Sequence, residues 1–131
     1  MSLIDSSAWI ELFRATGSDT HEKLRSVVSS GAEIETTEPV AMELLAGTRD
    51  ARDRRRISGA LAACRLLSVD NASDWVDAAA VYQGCRRAGE TPRRLLDCLI
   101  AAVAIRTGVP ILARDRDFEL IARHTSLELA A

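Results

Sequence analysis

Five carboxylates stand where apolar sequence would otherwise run on. Asp5 closes the run Ser2-Leu3-Ile4, and Glu43 sits within Val40-Ala41-Met42-Glu43-Leu44-Leu45. Asp97 interrupts Leu95-Leu96-Asp97-Cys98-Leu99-Ile100-Ala101-Ala102-Val103; Asp115 follows Val109-Pro110-Ile111-Leu112-Ala113, with Asp117 just behind. A carboxylate near apolar surroundings is costly unless it is paired with a cation or a metal. No lysine or arginine recurs beside these acids in a pattern that would pair all of them. One shared divalent metal would stabilise them together, which points to metal-dependent chemistry.

Taken singly, each acid is to be weighed against a plainer explanation. Asp5 precedes a helix and fits an N-cap, although Ser7 competes for that position. Glu43 lies about five residues into its helix, beyond the reach of a dipole effect in the first turn. It also has no Ser or Thr three residues earlier to make a capping box. If Pro92 opens the next helix, Asp97 lies too deep in it for a cap, and it is the only charge between Leu95 and Ile105. Asp115 and Asp117 can each cap the last helix, but one cap needs only one of them. Together they put acids at strand ends and on the helices that follow.

Two arginine groups add charge. Arg52, Arg54, Arg55 and Arg56 read as a solvated helix face, whereas Arg86, Arg87, Arg93 and Arg94 flank a helix break just before Asp97 and are candidates for contacting a phosphate backbone. Gly84, Gly89 and Gly108 have no phosphate-loop spacing, so a nucleotide-binding loop is unsupported.

The elements that must position these residues alternate. Leu3-Ile4 reads as a buried strand, followed by a helix capped at Asp5-Ser6-Ser7 and carrying Trp9, Ile10, Leu12 and Phe13. A second helix is expected from about His21 to Ser30, with Leu24, Val27 and Val28 inward and Gly31 as its stop. Glu33 to Thr36 reads as a strand, Pro39 opens a helix ending near Gly47, and Asp50 to Cys64 is a basic helix. Leu66 to Val69 reads as a strand, and Asn71 or Ser73 caps a long helix with Trp75, Ala78, Ala79, Tyr82 and Cys85 on one face. Gly89 to Pro92 breaks that helix. A helix from Arg93 to Arg106, a strand from Val109 to Ala113, a helix from Phe118 to His124 and a terminal strand Leu127-Glu128-Leu129 complete the chain. Such alternation implies a mostly parallel sheet covered on both faces. Ligands in such sheets bind beyond the carboxyl ends of the strands, where Asp5 and Asp115 fall.

The 131 residues read as one domain spanning 1–131, large enough for a real core. The longest uninterrupted apolar run, Cys98 to Ile105, is far too short to span a bilayer, and no signal peptide is visible. Cys64, Cys85 and Cys98 are widely spaced and lack a C-x-x-C, as expected of reduced thiols in a cytoplasmic protein. His21 and His124 lie at opposite ends, which argues against zinc. The net charge of −2 is misleading for a nucleic-acid binder, because with the five acids above set aside 14 acidic residues face 17 basic ones.

At this point the chain resembles the PIN-domain ribonucleases, specifically VapC-type toxins of bacterial toxin–antitoxin pairs. The resemblance covers nearly the whole chain. It rests on Leu3-Ile4-Asp5-Ser6-Ser7-Ala8-Trp9-Ile10 and Glu38-Pro39-Val40-Ala41-Met42-Glu43-Leu44-Leu45-Ala46-Gly47. It continues in Arg93-Arg94-Leu95-Leu96-Asp97-Cys98-Leu99-Ile100-Ala101-Ala102 and Arg114-Asp115-Arg116-Asp117-Phe118. The resemblance implies an acidic quartet of Asp5, Glu43, Asp97 and Asp115 with Asp117 accessory, and a Ser7 that orients Asp5 or a metal-bound water. Ser6 stands where the family often has Thr. Also implied are a three-layer α/β/α sandwich and hydrolysis of an RNA phosphodiester assisted by Mg²⁺ or Mn²⁺, the ions that oxygen ligands select. A homodimer inhibited by a cognate VapB-type antitoxin belongs to the same expectation.

Two other readings compete. A response-regulator receiver domain has this alternation but needs an N-terminal acidic pair and a lysine after the fifth strand; Asp5 stands alone, and the only lysine, Lys23, lies in the second helix. A non-catalytic RNA- or protein-binding module on the same fold would be favoured by loss of a quartet acid, and all four are present.

Overall fold

Very short strands carry the sheet. The computed structural model describes residues 1–131, in which four two-residue strands, β1 (Leu3–Ile4), β2 (Glu35–Thr36), β3 (Arg65–Leu66) and β4 (Ile111–Leu112), pair in the order β3-β2-β1-β4. All pairings are parallel: Leu3 is in register with Glu35 and Ile111, Ile4 with Leu112, and Glu35 with Arg65. Both residues of β1 and of β4 are fully or nearly fully buried, as strands covered on two faces require. Seven helices connect and cover them: α1 (Ser6–Phe13), α2 (Asp19–Ser29), α3 (Glu38–Ala46), α4 (Ala51–Ala62), α5 (Asp74–Arg87), α6 (Leu95–Thr107) and α7 (Arg116–His124). Helices α1 and α2 pack together, and α5, α6 and α7 form a second group. The result is the expected three-layer α/β/α sandwich.

Several details differ from the sequence expectation. The strands expected over 33–36 and 109–113 shrink to two residues each, the one expected over 66–69 is displaced to Arg65–Leu66, and the terminal strand is a single parallel bridge from Leu129 to Ile111. Helix α2 begins earlier, at Asp19, because the Ser18 side chain accepts from the His21 amide, and its Val28 is exposed rather than inward. Helix α6 begins at Leu95 rather than Arg93, so Asp97 sits in its first turn and not deep within it. On α5 the inward stripe is Asp74, Ala78 and Cys85, with Val81 and Tyr82 half-buried, whereas Trp75 is 56% exposed and Ala79 is also exposed. The stripe is shifted because the buried Asp74 receives two hydrogen bonds from the Arg106 guanidinium, at 2.9 and 2.8 Å, tying the start of α5 to the end of α6.

Helix α6 is the central rod. Every residue from Asp97 to Ala104 is buried, and Gly108, at φ +70°, terminates the helix in the left-handed conformation that suits a glycine C-cap. A rod buried on all sides leaves no solvent-facing position for Asp97 to occupy.

Candidate metal centre

The sheet and the helix starts bring the acids to one edge. The Asp5 amide donates to the Leu112 carbonyl at 2.9 Å, so the ladder between β1 and β4 runs on to the residue that carries the first carboxylate. Asp5 is also the N-cap of α1: its Oδ2 accepts from the Ser7 amide at 3.0 Å and the Ser7 hydroxyl at 2.6 Å. Ser7 Oγ in turn accepts from the Arg114 amide at 2.9 Å, so this hydroxyl is fixed between the ends of β1 and β4. Asp5 Oδ1 is buried with no hydrogen-bond partner. Burial raises the Asp5 carboxyl above its ordinary range; the Ser7 hydrogen bonds oppose this, while the nearby charges of Glu43 and Asp115 add to it.

Glu43 reaches the edge from the middle of α3, where its Oε1 accepts from Ser6 Oγ at 3.4 Å. Asp115 caps α7, its Oδ1 accepting from the Asp117 amide at 2.9 Å. Asp117 is buried, and its Oδ2 accepts from the amides of Arg93 at 3.0 Å and Arg94 at 3.3 Å. Those two bonds anchor the entry to α6: the amides of Arg93 and of the extended N-cap residue Arg94 are satisfied by a carboxylate of α7. One carboxylate oxygen from each of Asp97, Asp115 and Asp117 can be chosen so that all three lie within 4.8 Å of one another. That spacing is compatible with a divalent ion.

Asp97 is the most perturbed of the group. Complete burial and a hydrogen bond to Asp117 push its carboxyl up to about 8, although Arg94 pulls the other way. Burial also disfavours the charge on Asp117, but the hydrogen bonds from Asp97 and from the two arginine amides outweigh it and hold Asp117 below its ordinary value. The two acids therefore behave as a pair in which Asp97 holds the proton and Asp117 accepts it.

Sequence reading missed the cations. Arg94 donates to Glu43 Oε2 at 2.8 Å and to Asp97 Oδ1 at 2.9 Å, and approaches Asp115 Oδ2 at 3.7 Å. Arg93 donates to Asp115 Oδ1 at 3.0 Å. The expectation that arginines do not pair all the acids survives only at Asp5. Arg86 lies over the Tyr82 ring at 5.6 Å, and Arg87 is exposed at the end of α5; neither bonds to the acids.

A cleft of about 580 Å³ opens over the centre, with Glu43 and Asp115 at its base, Ser6, Ser7 and Ile10 along one wall, and Arg93 and Arg94 at the rim. A second cleft of about 390 Å³ shares Ile10 and Glu43 with it and carries Arg14, Arg49 and Arg56. Arg52, Arg54, Arg55 and Arg56 are exposed, as a solvated face requires, and Arg56 also lies over the Phe13 ring at 4.5 Å. No sequence signal marks Arg14 or Arg49, because only the packing of α1 against the α3–α4 turn brings them near the acids.

Comparison with known proteins agrees with this arrangement. The PIN-domain family model matches residues 2–124. The chain is 47% identical over 132 residues to "Ribonuclease VapC11" of Mycobacterium tuberculosis (strain ATCC 25618 / H37Rv), covering all of this chain and 98% of that protein. It has the same identity and coverage with "VapC ribonuclease Mb1587" of Mycobacterium bovis. Among solved structures, VapBC2 from Rickettsia felis bound to a promoter DNA fragment aligns with a TM-score of 0.76 at 13% identity, over 98% of this chain and 96% of that one. Mycobacterium tuberculosis VapC20, described as a sarcin-ricin loop cleaving toxin, aligns with a TM-score of 0.67 at 21% identity, over 98% of this chain and 99% of that one.

Proposed function

The chain belongs to the PIN-domain family, among its VapC ribonucleases, and from that premise we propose that it is a metal-dependent endoribonuclease, the toxin of a VapBC-type pair. One observation carries the reading: Glu43 and Asp115 line a single cleft, Asp97 and Asp117 are buried within reach of Asp115, and Asp5 Oδ1 is buried and unpartnered close enough to feel the charges of Glu43 and Asp115. An orphaned buried oxygen beside an all-carboxylate donor set fits Mg²⁺ or Mn²⁺. Asp5, Glu43, Asp97 and Asp115 would hold the ion, with Asp117 accessory. When bound, such an ion supplies Lewis-acid activation of an attacking water and neutralises charge on the phosphoryl oxygens.

The chain's own groups do the positioning. Ser7 fixes Asp5 by donating a hydrogen bond to Oδ2 while accepting one from the Arg114 amide, so the Asp5 carboxylate is held in one orientation with Oδ1 left unpartnered. Asp117 anchors the turn before α6 through two amides, which sets where Arg93 and Arg94 emerge. Arg93, with 70% of its side chain exposed at the rim, is placed to meet a phosphate of the RNA. No serine–histidine pair lies in the cleft, so water is the natural nucleophile.

The partners follow from the same reading: an RNA substrate, a cognate VapB-type antitoxin and a second copy of the chain. For the second copy we assign the apolar cleft of about 400 Å³ between α3, α5 and α6, where exposed Met42 and Trp75 stand beside Pro39, Val69 and Leu96. Protruding side chains next to a groove on one face can match across a two-fold axis, each filling the other. No helix is long and apolar enough to cross a membrane, and we place the protein in the cytoplasm. The direct test incubates purified protein with RNA and Mn²⁺ or Mg²⁺, and repeats it with EDTA and with Asp97→Asn. Ion-dependent cleavage lost in the variant is expected; binding without cleavage in wild type would favour a non-catalytic module.

A further inference from the structure

Arg94 has an unusual place among the acids just assigned to the ion. Its Nη1 donates to Glu43 on α3, its Nη2 to Asp97 on α6, and its Nε lies 3.4 Å from the second Asp97 oxygen. The same Nη2 is 3.7 Å from Asp115 at the start of α7. One guanidinium thus faces three acids from three elements, the job a bound cation would do. Oxygens that accept N–H groups at 2.8–2.9 Å have lone pairs committed to nitrogen. An ion at about 2.0–2.1 Å needs lone pairs on the same carboxylates. Two cations packed among these acids would also repel each other.

The partners differ in freedom. Asp97 is wholly buried and Glu43 mostly so, whereas 47% of the Arg94 side chain faces solvent at the cleft rim. The Arg94 backbone is held by Asp117, so only its side chain is free to leave. We propose that Arg94 is a built-in competitor of the divalent ion: its guanidinium keeps Glu43, Asp97 and Asp115 in place until an ion takes them, and it must swing outward for the ion to bind. Arg94 is on this view a positioning residue that sets ion affinity. Once displaced, it stands at the rim beside Arg93, on the side open to a phosphate. The inference rests on the metal-site reading of the same acids.

Mn²⁺ titration by calorimetry on the full chain tests it, comparing wild type, Arg94→Gln and Arg114→Gln. Arg114 is a nearby charge control; its guanidinium pairs with Glu11 at 3.0 Å and with none of these acids. Arg94→Gln should bind Mn²⁺ about tenfold more tightly, since charge-assisted hydrogen bonds no longer have to be broken first. Arg114→Gln should stay within about twofold of wild type, as expected where a charge is removed without a competing bond. Equal or weaker Mn²⁺ binding by Arg94→Gln overturns the proposal. A second readout uses wild type alone: side-chain NMR of the Arg94 guanidinium should show hindered rotation with EDTA and free rotation at saturating Mg²⁺. A guanidinium still hindered with Mg²⁺ bound also overturns it, whether or not the glutamine variant folds. Wild type and Arg94→Gln both failing to bind Mn²⁺ at millimolar concentration would instead bring down the metal-site reading, and this inference with it.

Discussion

Replacing Asp97 by Asn should change stability in a way that depends on pH. Asparagine keeps the shape, and its amide can donate to Asp117 as the protonated acid does. The Asp97 carboxyl is pushed up from 3.8 to about 8 in the folded chain. Between those values the folded protein holds a proton that the unfolded chain has released, so wild-type stability falls as pH rises through this window. Below about 4 both states are protonated and the full stability is present. At 1.36 kcal/mol per unit, complete expression of the shift amounts to about 5 kcal/mol between pH 4 and 8. Water entering past half-exposed Arg94 should reduce this to roughly 2–3 kcal/mol. The asparagine side chain has no such proton, so the difference between variant and wild type should be small near pH 4 and grow in the variant's favour toward pH 8. Denaturant unfolding of both proteins in EDTA at pH 5, 6, 7 and 8 measures it; acids distant from Asp97 cancel in the comparison, and the response of its coupled partner Asp117 is part of the measured difference. Mn²⁺ at pH 8 should restore the wild type and leave the variant unmoved. A difference that stays constant from pH 5 to 8 would mean that Asp97 is an ordinary carboxylate paired with Arg94, and would refute the reasoning.

Three further outcomes are expected. Ser7→Ala should lower kcat/KM for RNA cleavage about tenfold while the protein stays folded, because Asp5 loses the hydroxyl that fixes it; unchanged kinetics would remove Ser7 from the positioning scheme. Arg93→Glu should weaken RNA binding and reduce the log–log salt slope by about 0.7 for each phosphate no longer neutralised, and a slope equal to wild type would assign Arg93 to structure alone. Trp75→Glu should convert a dimer to a folded monomer in sedimentation, and a dimer that persists would move the interface elsewhere.

The acids are legible in the sequence because burial of charge leaves a mark: each interrupts an apolar run that a core segment would have continued. Alternation of strand and helix is legible for the same reason, since apolar periodicity records which faces are covered. Boundaries are not. Helix α6 starts at Leu95 behind an extended Arg94, and the carboxylate that satisfies the amides of Arg93 and Arg94 comes from Asp117, twenty-odd residues on. Trp75 reads as inward when Asp74 is counted as outward, and nothing near Asp74 in sequence announces its partner Arg106. Arg94 is visible as a charge near Asp97, but its bond to Glu43 spans 51 positions and exists only once α3 and α6 meet.

The span of the acidic centre also bears on how the protein is made. Its carboxylates begin at Asp5 and are completed only by Asp115 and Asp117, more than a hundred residues later. Central strand β1 waits equally long, since its neighbour β4 comes after all the rest of the sheet. A chain emerging from the ribosome folds from its N-terminal part, but here no early segment carries a finished centre. With the ion-binding acids proposed above, everything from Asp5 to Asp115 must be synthesised before any hydrolysis. The ribosome, itself largely RNA, therefore works beside an incomplete enzyme until the last of these acids has emerged.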